Sequence, residues 1–584
     1  MRNFLKTACG VALAALISAP VSMAQEAGGQ WSPKVEIAWN RYYPHAELQG
    51  HMKRMQDAYP DFIEIETIGH SLEGRPMQVM ILTNKNTGEH ADKPAMWVDG
   101  NVHGNEVQGG EATIYLAWWL LEHYASNPRA KALLDNKVFY LLPSQNPDGR
   151  DHWLEAAATP HSSRTGTRPT DNDRDGKADE DPMDDLDGDG EILTMRKRVP
   201  LGKGTHRQAQ DDPRILERVT KDQLGDFLVL GQEGIDNDGD GRINEDGIGG
   251  YDMNRNWPSD WQPNYIQRGA GDYPFSYPET DCVGQFIVKH PNIAAVQSFH
   301  NSGGMILRGP GDESVKYPRA DIRVYDALGE EGELILPFYR YMIIYKDLYN
   351  VHGGFVTWTY EALGILSFTN ELWASPQYWG GTRENTGGGF SSRTQQALEF
   401  NDSVMLGDIF VDWHSYDHPL YGAIEIGGFK HQHGRVAPSF MIEEMLHRNA
   451  LFCARHAEEI ADVRIEEPQV TDLGGGLFRI TVDLVNDSVM PSRSALAAQN
   501  KIGIPDLVHL TGGEIQILVG GTLSDKFHPE RMTPVVTKPM TVRLESGVPG
   551  QGRTTATWIV RGAGDFQVTY AAEKAADRKI KGSL

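Results

Sequence analysis

The stretch PAMWVDGNVHGNE, residues 94–106, is the part of the sequence that decides the fold. Its apolar first half predicts a buried strand, and its polar second half carries His103 and Glu106 in a turn. Residues 107–124 then repeat apolar side chains at helical spacing, which predicts a helix with a buried face. A strand that leads directly into a helix is the building unit of α/β proteins.

The same alternation of strands and helices extends over residues 30–460. Further strands are predicted at 76–82, 138–142, 293–299 and 365–369, and further helices at 281–289 and 441–461. After residue 463 the chain changes to short β-rich runs separated by Gly, Pro and Asn, without strong helix signals. We therefore predict an α/β domain over 25–462 and a smaller, all-β, sandwich-like domain over 463–584 that ends in a solvated basic tail.

The chain has 584 residues, which is long for a single core and favours two domains. Its net charge of −25 is unevenly distributed. Residues 171–191 hold 11 acidic and two basic residues, and residues 233–246 hold six acidic and one basic residue. More than half of the net charge thus belongs to one region, and the lack of a basic surface argues against a nucleic-acid partner.

The first 24 residues are typical of a secretory signal peptide. Arg2 and Lys6 form a basic start, residues 8–21 are mostly apolar, and small residues precede Gln25. The alternative is a retained membrane anchor, which needs an apolar run of ~20 residues, and this run is shorter. No later stretch predicts a membrane span. We expect export to the periplasm or the extracellular space of a bacterium.

Beyond residue 24 the chain has two cysteines, Cys282 and Cys453. An oxidising compartment permits one disulfide between them, and two buried thiols are equally compatible with the sequence.

Two histidines follow predicted strands: His103 comes after PAMWVDGNV, and His300 comes after AAVQSF. The carboxyl ends of strands in an open α/β sheet are where sites form. Glu106 lies three residues after His103, a spacing that puts both side chains on one side of a turn. Two imidazoles and one carboxylate give zinc three ligands and leave a position for water. The spacing alone is also compatible with an unliganded His and a solvated Glu.

Six segments resemble motifs of the zinc carboxypeptidase family, the metallopeptidases of the carboxypeptidase A and B type, and occur in that family's order. They are HGNE at 103–106, NPDG at 146–149, DMNRNW at 252–257, PFSYPET at 274–280, FHN at 299–301 and FTNEL at 368–372. The resemblance implies a mixed, mainly parallel sheet flanked by helices, and one catalytic zinc ion. It does not extend to the C-terminal domain.

The resemblance also implies roles for residues outside the zinc triad. Glu371 corresponds to the general base, and Asn254 and Arg255 to the pair that binds the terminal carboxylate of a substrate. Arg196, in TMRKR, resembles the arginine that polarises the scissile carbonyl, and Arg198 is its competitor.

Three further positions follow from the same resemblance. Tyr349 resembles the tyrosine that closes over substrate, and Asp252 the acid that hydrogen-bonds a zinc histidine. Val356 corresponds to the position that sets side-chain preference, where an apolar residue favours apolar C-terminal residues. The sequence departs from the family pattern at Asn105, where many members have Arg, and at Asn370, which replaces an aromatic residue.

An acidic insertion over about 165–248 repeats the pattern D-x-D-x-D-G three times, beginning at residues 171, 185 and 236. Asp at positions one, three and five with Gly at six is typical of calcium loops. The acid at position twelve is missing, so residues 179–181 and 244–246 are expected to close the sites. The alternative is a disordered acidic loop. The expected calcium ligands are Asp171, Asp173, Asp175, Asp236, Asp238 and Asp240.

The leading hypothesis is a secreted zinc metallocarboxypeptidase that removes residues from the C-termini of peptides or proteins. A zinc amidase acting on cell-wall peptides or N-acyl amino acids is the alternative within enzymes. A catalytically inactive, carboxypeptidase-like binding protein is the alternative outside them. The histidines His431 and His433 lie in a polar loop without a third ligand and are interpreted as a solvated loop. The oligomeric state is left open.

Overall fold

The computed structural model describes residues 32–159, 166–374, 390–525 and 527–584. The predicted signal peptide, residues 1–24, lies outside them. The helices are α1 His45–Ala58, α2 Gln108–His123, α3 Pro128–Asn136, α4 Pro147–Glu155, α5 Pro278–Lys289, α6 Arg319–Ile335, α7 Phe355–Glu361, α8 Phe390–Ser403, α9 Ile442–Glu458 and α10 Ala495–Asn500. None of the helices in this part of the chain is long and apolar enough to cross a membrane.

The strands form four sheets. In chain order they are β1 Ile63–His70, β2 Pro76–Leu82, β3 Ala95–Gly100, β4 Val138–Leu142, β5 Thr194–Arg198, β6 His206–Gln208, β7 Leu216–Arg218, β8 Phe227–Gln232, β9 Ile293–Asn301, β10 Met305–Arg308, β11 Arg340–Ile343, β12 Leu366–Leu372, β13 Phe410–His418, β14 Gly422–Phe429, β15 Val463–Ile465, β16 Gln469–Gly474, β17 Leu477–Asn486, β18 Asp506–Gly512, β19 Ile515–Leu523, β20 Met532–Val535, β21 Thr541–Leu544, β22 Gly552–Gly562, β23 Asp565–Ala571 and β24 Arg578–Ser583.

The central sheet has eight strands in the order β1-β2-β4-β3-β9-β12-β10-β11. The pairs β3–β4, β3–β9, β9–β12 and β10–β11 are parallel, and the other three are antiparallel. This mixed, mainly parallel sheet confirms the predicted fold class.

Both faces of the central sheet are buried. Along β3, Met96 and Val98 pack into one core with α2, whereas Ala95 and Trp97 pack into a second core with α5. Strands covered by helices on both faces are apolar throughout, which is why this segment reads as a continuous apolar run.

A second sheet, which we call the insertion sheet, has the order β13-β14-β5-β8-β6-β7. It joins strands from the acidic insertion to the hairpin β13–β14, about 180 residues later in the chain. The sequence pattern did not predict this pairing, because the insertion strands β5, β6 and β7 are short and largely half exposed.

The C-terminal region contains a six-stranded sheet, in which β16 pairs with β17 beside the path β15-β17-β22-β19-β20, and a four-stranded sheet of order β21-β18-β23-β24. Ile480 and Trp558 of the first sheet share a core with Val508 and Tyr570 of the second. This arrangement is the expected β-sandwich, with one short helix, α10, that the sequence did not predict.

The last residues are not a solvated tail. Arg578–Ser583 forms the edge strand β24, because Ile580 alternates with exposed Lys579 and Lys581 and packs on the C-terminal core. The Lys574 ammonium donates to the backbone carbonyl of Ile293 at 2.6 Å, at the start of β9 in the central sheet. The basic residues therefore belong to a sheet edge and to a contact between the two regions.

Both cysteines are free. Cys453 is buried on α9, and burial raises the pKa of its thiol well above the usual value. The open question of a disulfide is thus decided in favour of two thiols.

Candidate metal centre

Three buried ligand atoms meet at one end of the central sheet. His103 Nδ1 lies 3.0 Å from Glu106 Oε1, and His300 Nδ1 lies 2.9 Å from Glu106 Oε2. All three residues are at most 2% exposed, and one ligand atom from each lies within 4.8 Å of the others. The structure thus brings together the three residues expected to bind zinc.

The position of the ligands follows from adjacent parallel strands. His300 lies near the end of β9, and His103 follows β3, its neighbour in the sheet. The turn after β3 is held by Asn101, whose side chain donates to the carbonyl of His103 at 2.7 Å. Asn101 has a φ of 62°, a left-handed conformation that Asn adopts more readily than most residues.

A close contact between β3 and α2 sets the position of Glu106. A Cβ atom on Gly100 would lie 2.4 Å from the backbone of Gly109, in the first turn of α2. Only glycine permits this approach, which holds the start of the helix against the strand end.

The donor set fits a cation. His103 Nδ1 is buried and makes no hydrogen bond, although a carboxylate oxygen lies 3.0 Å away. Burial opposes ionisation of Glu106, but the adjacent imidazoles of His103 and His300 hold the pKa of this carboxyl well below its usual value. Two imidazole nitrogens and an ionised carboxylate around one point are the ligands that zinc prefers.

Asp252 orients the first histidine. Its Oδ1 accepts from His103 Nε2 at 3.0 Å and from the backbone N–H of Asn254 at 2.8 Å. A proton held on Nε2 leaves the Nδ1 lone pair for the metal. This is the arrangement that the resemblance implied for Asp252.

Asn254 and Arg255 lie beside the third ligand. Asn254 Nδ2 is 3.5 Å from His300 Nε2, and Asn254 Oδ1 accepts from the backbone N–H of Phe355 at 2.9 Å. The Arg255 guanidinium is buried and donates to the carbonyl of Asn254 at 2.8 Å. A permanent positive charge is therefore held next to the metal group.

Glu371 is the neighbour of His300 across the sheet. It lies on β12 and pairs in register with His300 on the parallel strand β9. Residues in register on adjacent strands lie about 5 Å apart at their backbones, and their side chains point to the same face. Glu371 is half-buried, so solvent reaches this edge of the site.

Tyr349 and Val356 have different environments. Tyr349 follows the π-helical turn Ile344–Leu348 and is 55% exposed. Val356 is buried on α7, in the core that contains Trp257 and Phe355.

Arg196 does not contact the three metal ligands among the described residues. It lies on β5 of the insertion sheet, where its Nε donates to Glu425 at 2.6 Å. Its guanidinium lies 3.9 Å from the ring centre of Trp413. The pairing of β5 with β14 brings these partners to Arg196. The TMRKR motif alone does not predict these contacts.

A different arginine, Arg435, contacts the metal group. Its Nη2 donates to Asn105 Oδ1 at 3.0 Å and to Glu106 Oε1 at 3.3 Å, while its Nε is buried without a partner. Sequence reasoning missed this residue, because it lies about 330 positions from Glu106 in a loop without a matching motif.

The loop that carries Arg435 is not a solvated loop, contrary to the expectation from its histidines. His431 Nδ1 lies 2.7 Å from Glu191 Oε2, and the ring of His433 stacks on Phe429 at 3.9 Å between centres. Burial lowers the pKa of His433 to about 4. Ala437 donates its backbone N–H to Gln108 on α2 at 2.7 Å, which fixes the loop near the metal ligands.

The acidic segments form four groups of carboxylates whose oxygens lie within 4.8 Å of one another. They are Asp171, Asp173 and Asp246; Asp173, Asp175 and Glu180; Asp185, Asp187 and Glu233; and Asp236, Asp238 and Asp240. All six aspartates expected to bind calcium occur in these groups. Asp171 and Asp173 of the first acidic segment group with Asp246, which comes from the other end of the insertion.

Comparison with known proteins supports one family. Residues 48–188 and 214–384 match the family model described as zinc carboxypeptidase, and residues 462–581 match a domain of unknown function. Carboxypeptidase D of Rattus norvegicus is 29% identical over 148 residues, which cover 25% of this chain and 11% of that protein. Carboxypeptidase Z of Mus musculus is 35% identical over 109 residues, 18% of this chain and 17% of that protein. The crystal structure of carboxypeptidase A from Helicoverpa armigera aligns with a TM-score of 0.42 and 15% identity, over 73% of this chain and 76% of that chain. The chain thus spans less than a fifth of the length of these curated relatives.

Proposed function

The chain belongs to the zinc carboxypeptidase family, and from this premise we propose that it is a secreted metallocarboxypeptidase that hydrolyses C-terminal residues from peptides or proteins. The observation that carries the proposal is the buried group of His103, Glu106 and His300 with Glu371 in register beside it. Export rests on the signal-peptide pattern of residues 1–24.

His103 Nδ1, His300 Nδ1 and the Glu106 carboxylate would hold the zinc ion. When bound, zinc supplies a Lewis acid that polarises a carbonyl and makes a proton easier to remove from water. Asp252 keeps His103 in the tautomer that this requires.

Glu371 is the proposed general base. Its carboxylate takes a proton from the attacking water and passes it to the departing amine as the peptide bond breaks. The register of Glu371 with His300 supports this role, because it puts the carboxylate beside the ligand set.

Arg255, with Asn254, is proposed to bind the free carboxylate of the substrate. The guanidinium is planar and always charged, and it matches the geometry of a carboxylate. Its burial next to Asn254 and His300 supports recognition of a chain end close to the reacting bond. We further propose that exposed Tyr349 covers the bound substrate and that Val356 favours apolar C-terminal side chains.

Two arginines are candidates for the residue that polarises the scissile carbonyl. The resemblance assigns this role to Arg196, whose Nη1 is buried without a partner. Arg435 is the second candidate, and we favour it because its guanidinium contacts Glu106. Calcium bound by the acidic segments is proposed as a structural cofactor of the insertion.

Digestion of a peptide library by the zinc-loaded chain, read by mass spectrometry, tests the proposal. We expect loss of single C-terminal residues, strongest for apolar ones, and no cleavage after zinc is removed. Glu371→Gln should lower kcat by about 10²–10⁴ while zinc content stays at one ion. Glu330→Gln, at an exposed position on α6, is the matched control and should change nothing.

Two results would contradict the proposal. Full activity in the zinc-free protein would remove the metal mechanism. Cleavage of muropeptides or N-acyl amino acids without cleavage of linear peptides would replace the carboxypeptidase with an amidase, because Arg255 suits any substrate that has a free carboxylate.

A further inference from the structure

Two acidic segments of the insertion have the same arrangement of side chains. We call residues 171–182 loop A and residues 236–247 loop B. Each has Asp at positions one, three and five, Gly at six, Glu at ten and Asp at eleven. The last two acids are Glu180 and Asp181 in loop A, and Glu245 and Asp246 in loop B.

The two loops also fold alike. The first Asp of each loop accepts the backbone N–H of the Gly at position six, at 3.1 Å for Asp171 and 3.0 Å for Asp236. Both glycines have positive φ, 100° for Gly176 and 95° for Gly241, which the tight turn requires. In loop B the carboxylates at positions one, three and five form one group, whereas in loop A the first two group with Asp246 and the last two with Glu180.

The acids at position eleven cross from one loop to the other. Asp246 of loop B accepts the backbone N–H of Asn172 in loop A at 2.7 Å. Asp181 of loop A accepts the backbone N–H of Asn237 in loop B at 2.9 Å. Asp181 and Asp246 also pair as an antiparallel bridge. The exchange is reciprocal, so neither loop is complete without the other.

The crossing acids are buried, and one oxygen has no partner. Asp181 and Asp246 are each 1% exposed. Asp181 Oδ2 makes no hydrogen bond, and neither do the solvent-shielded oxygens of Glu180 and Glu245. A buried carboxylate without a counter-charge is strongly unfavourable, so these carboxyl groups need either a neutralising proton or a cation.

Basic side chains do not meet this requirement in the described part of the chain. Lys177 lies 3.5 Å from Asp175, and Arg242 lies 3.8 Å from Asp240, but both basic groups are mostly exposed at the outer side of the turns. They contact the acids at position five rather than the buried acids. Glu180 of loop A instead lies beside Asp246 of loop B, and Glu245 of loop B beside Asp181 of loop A.

We propose that loops A and B form one paired site for two calcium ions, in which Asp246 completes the site of loop A and Asp181 completes that of loop B. The grouping of Asp171 and Asp173 with Asp246 gives the first of these exchanged sites directly. Ligands that are all oxygen, several of them carboxylate, suit calcium rather than zinc. The inference deepens the calcium assignment above and rests on it, independently of peptidase activity.

A double-mutant cycle tests the exchange. The zinc-loaded full chain is titrated with calcium by calorimetry, and Tm is measured with and without calcium. We expect Asp181→Asn to weaken calcium binding about tenfold or more, because the site loses a charged ligand. Asp181→Asn should add little to the loss of calcium binding caused by Asp236→Asn, because both substitutions remove ligands of the loop B site. In the double variant Asp181→Asn with Asp171→Asn, the two losses of calcium binding should add, because the substitutions affect different sites.

The control is Asp222→Asn, an exposed acid of the insertion outside both loops, which should bind calcium like the wild type. Each variant is required to match the wild-type Tm in calcium-free buffer, which separates lost ligation from lost folding. The third acidic group, around Asp185 and Glu233, is unchanged in every variant and contributes equally.

The outcomes are distinct. The absence of calcium binding and of a calcium-dependent rise in Tm would overturn the paired site and the calcium assignment, but would leave the peptidase proposal intact. Additive losses for Asp181 with Asp236, together with non-additive losses for Asp181 with Asp171, would show that each loop closes its own site. The exchange would then be wrong.

Discussion

At the scale of single residues, the metal centre depends on which nitrogen of His103 faces the other ligands. Asp252 holds the proton on Nε2, and Nδ1 is left facing Glu106. The pair His352 and Asp260 has the same chemistry, with 2.7 Å between Nδ1 and Oδ2. It therefore offers a control for replacing an acid beside a histidine.

We predict that Asp252→Asn lowers zinc affinity about 10–100-fold, because the amide no longer fixes the tautomer and orientation of His103. Competition with a chromophoric chelator measures this affinity. Asp260→Asn should leave zinc affinity unchanged. Equal zinc affinity in wild type and Asp252→Asn would contradict the assigned role of Asp252.

A second residue-scale prediction separates the two arginines. Arg435→Ala should lower kcat/KM about 10²–10³-fold, the usual effect of removing a group that stabilises a developing oxyanion. Arg196→Ala should mainly lower Tm, because its contacts with Glu425 and Trp413 lie in the insertion sheet. Steady-state kinetics and thermal unfolding of both variants decide the matter. The reverse pattern would assign the role to Arg196, as the sequence motif predicts.

At the scale of elements, the site depends on the contact between β3 and α2. Gly100 and Gly109 approach so closely that a methyl group on Gly100 would overlap the helix backbone. Because Glu106 lies between the two glycines in sequence, any displacement of the helix start also moves this proposed metal ligand.

We predict that Gly100→Ala destabilises the protein by about 1–3 kcal/mol, the usual cost of overpacking a core, and weakens zinc binding. Gly50→Ala, in the exposed part of α1 with open space around it, is the control and should stabilise by about 0.5–1 kcal/mol. Thermal unfolding and zinc titration measure both effects. A Gly100→Ala protein with wild-type Tm would show that the contact can relax.

At the scale of the whole molecule, the α/β region and the C-terminal sandwich share buried polar contacts. The Asp321 carboxylate on α6 accepts the backbone N–H groups of Ala495 at 2.8 Å and Leu496 at 2.9 Å, at the start of α10. It also accepts the hydroxyl of Tyr360 at 2.7 Å. Asp321 is 1% exposed, so water cannot replace these bonds.

We predict that Asp321→Asn destabilises the protein by about 1–3 kcal/mol, since a buried donor loses its charged acceptor. The two regions should then unfold at separate temperatures in calorimetry, with the sandwich detaching first. Glu330→Gln, exposed on the same helix, should keep the wild-type transition. An unchanged transition in Asp321→Asn would mean that apolar contacts alone hold the regions together.

Much of the central fold was predictable because local pattern and burial agree there. Strands β2 and β4 have the bounds that their apolar runs predict, 76–82 and 138–142. Strand β12 was predicted at 365–369 but extends to Leu372. Glu371 and Leu372 continue the strand because they pair with His300 and Asn301 of β9. That extension puts Glu371 beside His300.

The sequence by itself determined the α/β class, the sandwich at the C-terminus and which three side chains are expected to bind zinc, because strand and helix periodicity and short motifs are local properties. Only the tertiary structure decided that Arg435 lies against Glu106, that β5 pairs with β14, and that Asp181 and Asp246 exchange between loops. These contacts join residues tens to hundreds of positions apart. Their partners are chosen by how sheets and loops pack in three dimensions, which no local pattern encodes.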